Sequence, residues 1–355
     1  MKLISYFLIG MITIAWACKS EPTSIVKYIE LTGKTMGTTY SIKYLDSLNR
    51  DFKPQIDSLL IAVNNEVSTY EPESFISLVN KSEEAFQYVN LLKKKAKLPR
   101  HFKANFEKAK EVFKNSNGYF DPTVMPIVNY WGFGYTEKRP VEKIDTAKVD
   151  SLMNFVGFNK VTQRSAKDGW VYLIKDSPGV QLDFSAIAKG YGVDVVANLL
   201  HQKGLQNYFV EIGGELIAHG KNAKNNWWTI GINTPAEKAA VSDIQSKVTL
   251  QNKAMATSGN YRNFYEVNGV KYAHTLNPKT GFPEKNTLLS ATVFAVDCMS
   301  ADAYATACMA MGLEKAMTMI DKLDNMEAYF LFSDANGNVV SQSTSSNLKI
   351  INNFN

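Results

Sequence analysis

Asp302 and Thr306 stand four residues apart in the run Ser300-Ala301-Asp302-Ala303-Tyr304-Ala305-Thr306. On a helix that spacing places both on one face. A carboxylate and a hydroxyl one turn apart at a helix start suit a hard cation such as Mg²⁺, which takes a few protein oxygens and fills its shell with substrate phosphates. Two plainer roles stay open. Asp302 also serves as a first-turn acid favoured by the helix dipole, and Thr306 can bond back to the carbonyl of residue 302.

A second cluster runs from Gln181 to Tyr191, where Asp183 and Ser185 precede a helix pattern and Lys189 falls one turn inside it. Asp183 or Ser185 as an N-cap and Lys189 as a solvated charge would satisfy that pattern. Gly190 does not fit it, because glycine inside a helix costs about 1 kcal/mol relative to alanine. Something must approach the backbone closely there. Ile212-Gly213-Gly214-Glu215 follows a strand pattern, and its tandem glycines admit a phosphate or a second backbone, or form a bulge. Neither the dinucleotide fingerprint nor a P-loop is present.

His274 alternates with Tyr272 and Leu276 and precedes the turn Asn277-Pro278-Lys279-Thr280-Gly281. Imidazole titrates near ~6.5, so a histidine beside a polar turn is available as a general base, although a strand histidine also serves structure alone. Cys298 and Cys308 lie in an apolar segment and read as free, buried thiols. No cysteine–histidine set has zinc spacing.

The elements that must position these groups follow from periodicity. Residues 26–44 are strand-like around a turn at Thr35-Met36-Gly37-Thr38. Ile56, Leu59, Leu60 and Val63 predict a helix over 53–67, and Phe102, Phe106, Ala109 and Phe113 another that ends at Asn115 to Gly118. A polar stretch to about Asp150 reads as surface connection, and Ser185–Leu200 as a third helix. Strands are expected at 208–212, 228–232, 247–251 and 288–296, with helices at 301–311 and 313–323. A hairpin around Asn336-Gly337 closes the chain. Strands and helices without a βαβ rhythm make an α+β fold with mixed or antiparallel sheets and packed helices.

The chain has 355 residues, 45% of them hydrophobic, which excludes a disordered or collagen-like protein. Thirty-nine basic residues against 34 acidic ones give +5, without the basic stripe of a nucleic-acid binder, so no nucleic-acid partner is expected. Residues 1–17 read as a signal peptide: Lys2, an uncharged run from Leu3 to Ala17, then Ala15-Trp16-Ala17-Cys18. The small residues before Cys18 resemble a bacterial lipobox, in which Cys18 is lipidated; an ordinary signal peptide with a chance cysteine is the alternative. Residues 18–25 would then tether residues 26–355 to a membrane facing the periplasm.

Taken in order, these segments resemble the ApbE family of bacterial FAD:protein FMN transferases from about Thr32 to Met317. The resemblance rests on Thr35–Thr38, Ser68-Thr69-Tyr70, Gly118-Tyr119-Phe120-Asp121-Pro122-Thr123, Trp131–Gly134, Asp183–Asp194, Ile212–Glu215, Thr257–Tyr261, His274–Gly281 and Ala301–Thr306. It implies FAD in a cleft between two lobes, near Met36, Tyr70, Tyr119, Phe120, Asp121, Asp183, Lys189 and Leu276. It also implies Mg²⁺ held by the Ala186 carbonyl and the side chains of Asp302 and Thr306. The reaction would carry FMN to a threonine of an exported flavoprotein and release AMP, with His274 as candidate base assisted by Asp183. An Mg²⁺-dependent FAD pyrophosphatase and a flavin-binding lipoprotein without turnover are the alternatives. Asn277 stands where many relatives carry Asp, but asparagine still suits an Asx turn.

Overall fold

The computed structural model describes residues 27–82, 98–135, 144–165, 171–236, 240, 243–260, 264–267, 270–273, 275–284 and 286–352. His274, Tyr261, Cys18 and the signal and tether segments lie outside the described residues.

Strands β1 (Lys27–Thr35) and β2 (Thr38–Asp46) form a hairpin whose turn residues, Met36 and Gly37, both have positive φ. That is the backbone a tight two-residue hairpin requires. Helices α1 (Lys53–Val67), α2 (Phe75–Lys81), α3 (Arg100–Asn115), α4 (Met125–Tyr130) and α5 (Thr146–Met153) follow. A small hairpin, β3 (Val161–Ser165) and β4 (Val171–Lys175), leads to α6 (Ala188–Gln202). The chain continues through β5 (Tyr208–Ile212), β6 (Glu215–His219), β7 (Trp228–Asn233), β8 (Ile244–Leu250) and β9 (Lys253–Gly259). Strands β10 (Phe264–Val267) and β11 (Val270–Ala273) pair antiparallel, and β12 (Leu288–Ala295) returns to the main sheet. Helices α7 (Cys298–Met311) and α8 (Leu313–Ile320) precede β13 (Glu327–Ser333), β14 (Val339–Ser343) and β15 (Ile350–Asn352).

The main sheet has eight strands in the order β1-β2-β5-β6-β9-β12-β13-β14. Every pairing in it is antiparallel. Neighbours follow chain order, so each missing number is an excursion that packs over the sheet or beyond its edge. The α+β expectation holds, with antiparallel pairing throughout the described sheets.

Helices cover one face of the sheet and the β7-β8-β15 sheet covers part of the other. Strand β12 is buried on both faces: Ala291 and Val293 pack with the helices, and Phe294 with Leu216, Trp228 and Leu331. Helix α7 runs behind it and is buried almost all round, because its many alanines let neighbours approach from every side. Cys298 and Cys308 are both free and buried there.

Three expectations need correction. The stretch read as surface connection to about Asp150 ends inside α5, whose first turn is capped by Asp145 accepting from the Lys148 amide. Helix α6 begins at Ala188 rather than Ser185, because Asp183 draws the Ser185 amide into a turn. Helix α7 begins at Cys298, and its N-cap is Asp297, which accepts from the Ser300 amide. Asp302 therefore lies in the second turn, and the acid nearest the positive end of the helix dipole is the N-cap Asp297.

Candidate functional site

Helices α6 and α7 cross at Gly190. A Cβ on that residue would lie 2.3 Å from the Cys298 carbonyl oxygen and 2.8 Å from Asp302 Cβ. The close approach read from the sequence is thus that of α7 itself. Each helix then supplies a carboxylate to the other's backbone. Asp194 of α6 accepts from the amides of Cys298 and Met299 at 2.7 and 2.8 Å, two donors left over at the start of α7. Asp302 of α7 accepts from the Gly190 amide at 3.0 Å. Burial and the nearby Asp297 raise the Asp194 pKa to about 7 against those amides.

This exchange shapes the metal-ligating candidates. In a continuing helix the Gly190 amide would close onto the Ala186 carbonyl. It donates to Asp302 Oδ2 instead, and no described backbone amide donates to Ala186 O. Thr306, one turn beyond Asp302, places its hydroxyl 3.3 Å from Ser258 Oγ on β9 rather than closing onto its own helix. The described residues contain no group of three or more His, Cys, Asp or Glu side chains able to hold a metal. An oxygen site here would depend on one carboxylate, a hydroxyl and a main-chain carbonyl, the donor set that suits Mg²⁺ with phosphate ligands.

Lys189 lies beside this crossing. Its Nζ is 3.0 Å from Glu215 Oε1 and 3.9 Å from Asp302 Oδ1. Burial alone would lower its pKa, but the Asp302 and Glu215 carboxylates outweigh that and raise it. Glu215 is only 5% exposed, and its Oε2 is buried without a hydrogen-bond partner. Burial raises its pKa, opposed by Lys189 and reinforced by Asp302. The tandem-glycine turn makes this meeting feasible. Gly213 has φ +62°, and a Cβ there would sit 2.8 Å from Thr38 and 3.3 Å from the Lys189 stem. Met36 completes the group, its methyl 2.9 Å from where a Gly192 Cβ would stand.

Asp183 and its surroundings form the adjoining wall. Ser185 donates its amide and hydroxyl to Asp183 Oδ1, and the hydroxyl also lies 2.7 Å from Oδ2. Burial raises the Asp183 pKa against those bonds. Tyr70, 63% exposed after α1, is near enough for the Asp183 charge to contribute to its raised pKa, after burial. The Asp183 amide donates to the Pro122 carbonyl, which joins this loop to Tyr119–Thr123.

There the candidate residues diverge. Asp121 accepts from the Thr123 amide and hydroxyl through Oδ1 and from the Phe158 amide through Oδ2. Burial nevertheless lifts its pKa to about 6. The Phe120 side chain is buried in the main core. Tyr119 remains accessible between two lysines: Lys315 donates to its hydroxyl at 2.8 Å, and Lys279 Nζ stands 4.5 Å from the ring centre. Leu276 is buried with Trp131, Ile127 and Val149 beneath the following turn. That turn is the expected Asx type, since Asn277 Oδ1 accepts from the Lys279 amide.

Met36, Lys189, Asp302 and Thr306 thus gather at the α6–α7 crossing, Ala186 lies one turn before Gly190 in the chain, and Asp183 stands near Tyr70. Sequence reasoning assigned no role to Glu215 or Ser258. An acid directly after tandem glycines at a strand start was the available signal for Glu215; Ser258 carried none beyond its polar segment.

Residues 36–330 match the ApbE family. An FAD:protein FMN transferase of Haemophilus influenzae is 37% identical over 353 residues, 97% of this chain and 96% of the relative. Among solved structures, the flavin transferase ApbE from Vibrio cholerae superposes with a TM-score of 0.79 at 33% identity, covering 90% of this chain and 98% of that one. The apo flavinyl transferase ApbE of Pseudomonas stutzeri gives 0.76 at 30% identity, covering 90% and 95%.

Proposed function

The chain belongs to the ApbE family and is an FAD:protein FMN transferase; we propose that its acceptor atom is a threonine hydroxyl of an exported flavoprotein and that Mg²⁺ serves the reaction. The acceptor oxygen attacks the phosphorus of the FMN half of FAD. A phosphoester forms, the bond to the AMP phosphate breaks, and AMP leaves with the electron pair. The hydroxyl proton passes to a base. His274 is the proposed base, with Asp183 assisting.

The observation that carries the metal reading is the Gly190 amide, which turns to Asp302 and leaves the Ala186 carbonyl, one turn earlier in the chain, without a described backbone donor. Bound there, Mg²⁺ would neutralise charge developing on the pyrophosphate. The chain's own groups do the rest. Lys189 adds a positive charge 3.9 Å from Asp302. Asp183, by holding Ser185, shapes the turn that presents Ala186. Met36 and Tyr70 offer apolar and aromatic surface for the flavin, and Tyr119 a second ring further along.

The experiment is incubation with FAD, Mg²⁺ and an acceptor domain, followed by denaturation. Flavin fluorescence that stays on the acceptor supports transfer. Release of FMN and AMP with unlabelled acceptor would make the protein a pyrophosphatase, and unchanged FAD would make it a binding protein. His274→Ala should suppress transfer more than FAD binding; normal transfer would remove it as base. We further propose that Cys18 is lipidated and anchors the enzyme to a membrane at the periplasmic side. Labelling with a radioactive fatty acid that disappears in Cys18→Ser supports this, and equal labelling refutes it.

A further inference from the structure

Lys189 is one ammonium shared unequally by two carboxylates. It is within hydrogen-bond distance of Glu215 at 3.0 Å but only in charge contact with Asp302 at 3.9 Å. Asp302 Oδ2 is occupied by the Gly190 amide, so Oδ1 is the oxygen that faces Lys189. A divalent cation ligated by Oδ1 and the Lys189 ammonium would repel each other across that single oxygen. Whatever holds Lys189 to one side therefore governs whether Asp302 is available.

We propose that Glu215 is a positioning residue that draws the Lys189 ammonium away from Asp302 and so keeps Asp302 Oδ1 open for a divalent cation. This rests on the reading of Asp302 as a metal ligand. Three features support it. Glu215 is 5% exposed and its Oε2 has no partner, so the side chain has unused capacity for the ammonium when a second cation enters. The Gly213 turn, where a Cβ would lie 3.3 Å from the Lys189 stem, lets that stem pass toward β6. Glu215 opens β6 and its backbone is paired with Ile212, so the carboxylate is anchored by the sheet while Lys189 has a long, adjustable stem. A carboxylate that keeps a competing cation off a metal ligand acts as outer-sphere support, which typically changes metal affinity 10–100-fold.

The test is Mn²⁺ binding, read by the loss of the free-ion paramagnetic resonance signal, on the mature chain without FAD. Glu215→Gln preserves shape and should weaken Mn²⁺ about 10-fold or more, because Lys189 then settles on Asp302. Lys189→Met should bind Mn²⁺ at least as tightly as the unaltered protein. In the Lys189→Met background, adding Glu215→Gln should cost at most about 2-fold, since no competing ammonium remains. Glu215→Asp retains the charge and should recover most of the affinity, and it serves as the informative variant if Glu215→Gln does not fold. Unchanged affinity in Glu215→Gln, or an equal loss in both backgrounds, would overturn the proposal while leaving the metal site standing. Asp302→Ala separates the two ideas: if it binds Mn²⁺ as well as the unaltered chain, the metal reading falls and the role of Glu215 falls with it.

Discussion

Asp121 and Glu215 are both acids that the fold buries, at 8% and 5% exposure, yet their oxygens are used differently. Asp121 receives three donors from Thr123 and Phe158, so its charge stitches the loop after α3 to the short helical turn at Phe158–Lys160. Glu215 receives one ammonium and keeps an oxygen without a partner. A buried polar atom left unpaired costs free energy of about 1–3 kcal/mol. Both acids lie in segments shared with the family, but only Glu215 retains capacity to accept more from its partner, the Lys189 ammonium.

The comparison breaks most directly at Asp302. Asp302→Ala removes the carboxylate ligand, and loss of several kcal/mol of charge stabilisation should lower FMN transfer at least about 100-fold. Transfer within a few-fold of the unaltered enzyme would place the site elsewhere. The scaffold side is tested by Asp121→Ala, which strands buried amides of Thr123 and Phe158 and should cost about 2–4 kcal/mol in urea unfolding. A variant that keeps its stability but loses FAD binding would reverse the assignment. Gly190→Ala forces a methyl toward the Cys298 carbonyl and should cost about 1–3 kcal/mol, with weaker Mn²⁺ binding because Asp302 and Ala186 move apart. Unchanged melting and metal affinity would show that the two helices yield freely.

The smallest effect concerns His101, another buried group committed to the scaffold. Its Nδ1 lies 2.8 Å from the Tyr191 hydroxyl, and Arg100 Nε donates to its Nε2. Burial, then the Arg100 charge, lowers its pKa to about 4. A lowered pKa means the unfolded chain takes a proton that the folded chain refuses. Its contribution is therefore present above about pH 6.5 and is lost as pH falls toward about 4. Urea midpoints measured between pH 7 and 4 should decline less steeply for His101→Gln; an unchanged slope would remove His101 as a source of acid sensitivity.

Much of the fold was legible because its signals are local. The helix expected over 53–67 is α1, and the strand expected over 208–212 is β5, since apolar spacing alone reports which face is buried. The Asx turn at Asn277 was legible for the same reason. The starts of α6 and α7 were not. Both depend on carboxylates reaching amides: Asp183 detains Ser185, and Asp297 caps Ser300, each competing with other local conformations of similar energy. That Phe120 and Leu276 are buried was not legible either, because an apolar side chain reads the same in sequence whether it is buried or exposed.

By itself, the sequence determined the α+β class, most of the elements, the family resemblance and the pairing of Asp302 with Thr306 on one helix face. The elements and the Asp302–Thr306 pairing follow from spacing within a few turns of chain, whereas the resemblance rests on the order of motifs from about Thr32 to Met317. Only the tertiary structure decided what Gly190 makes room for, that Ala186 loses its helical donor, and that Lys189 stands between two acids. The Gly190 amide and Asp302 are 112 residues apart in the chain. A hydrogen bond over that separation exists only once packing has brought α6 against α7, and no local pattern encodes which of several available oxygens an amide will choose.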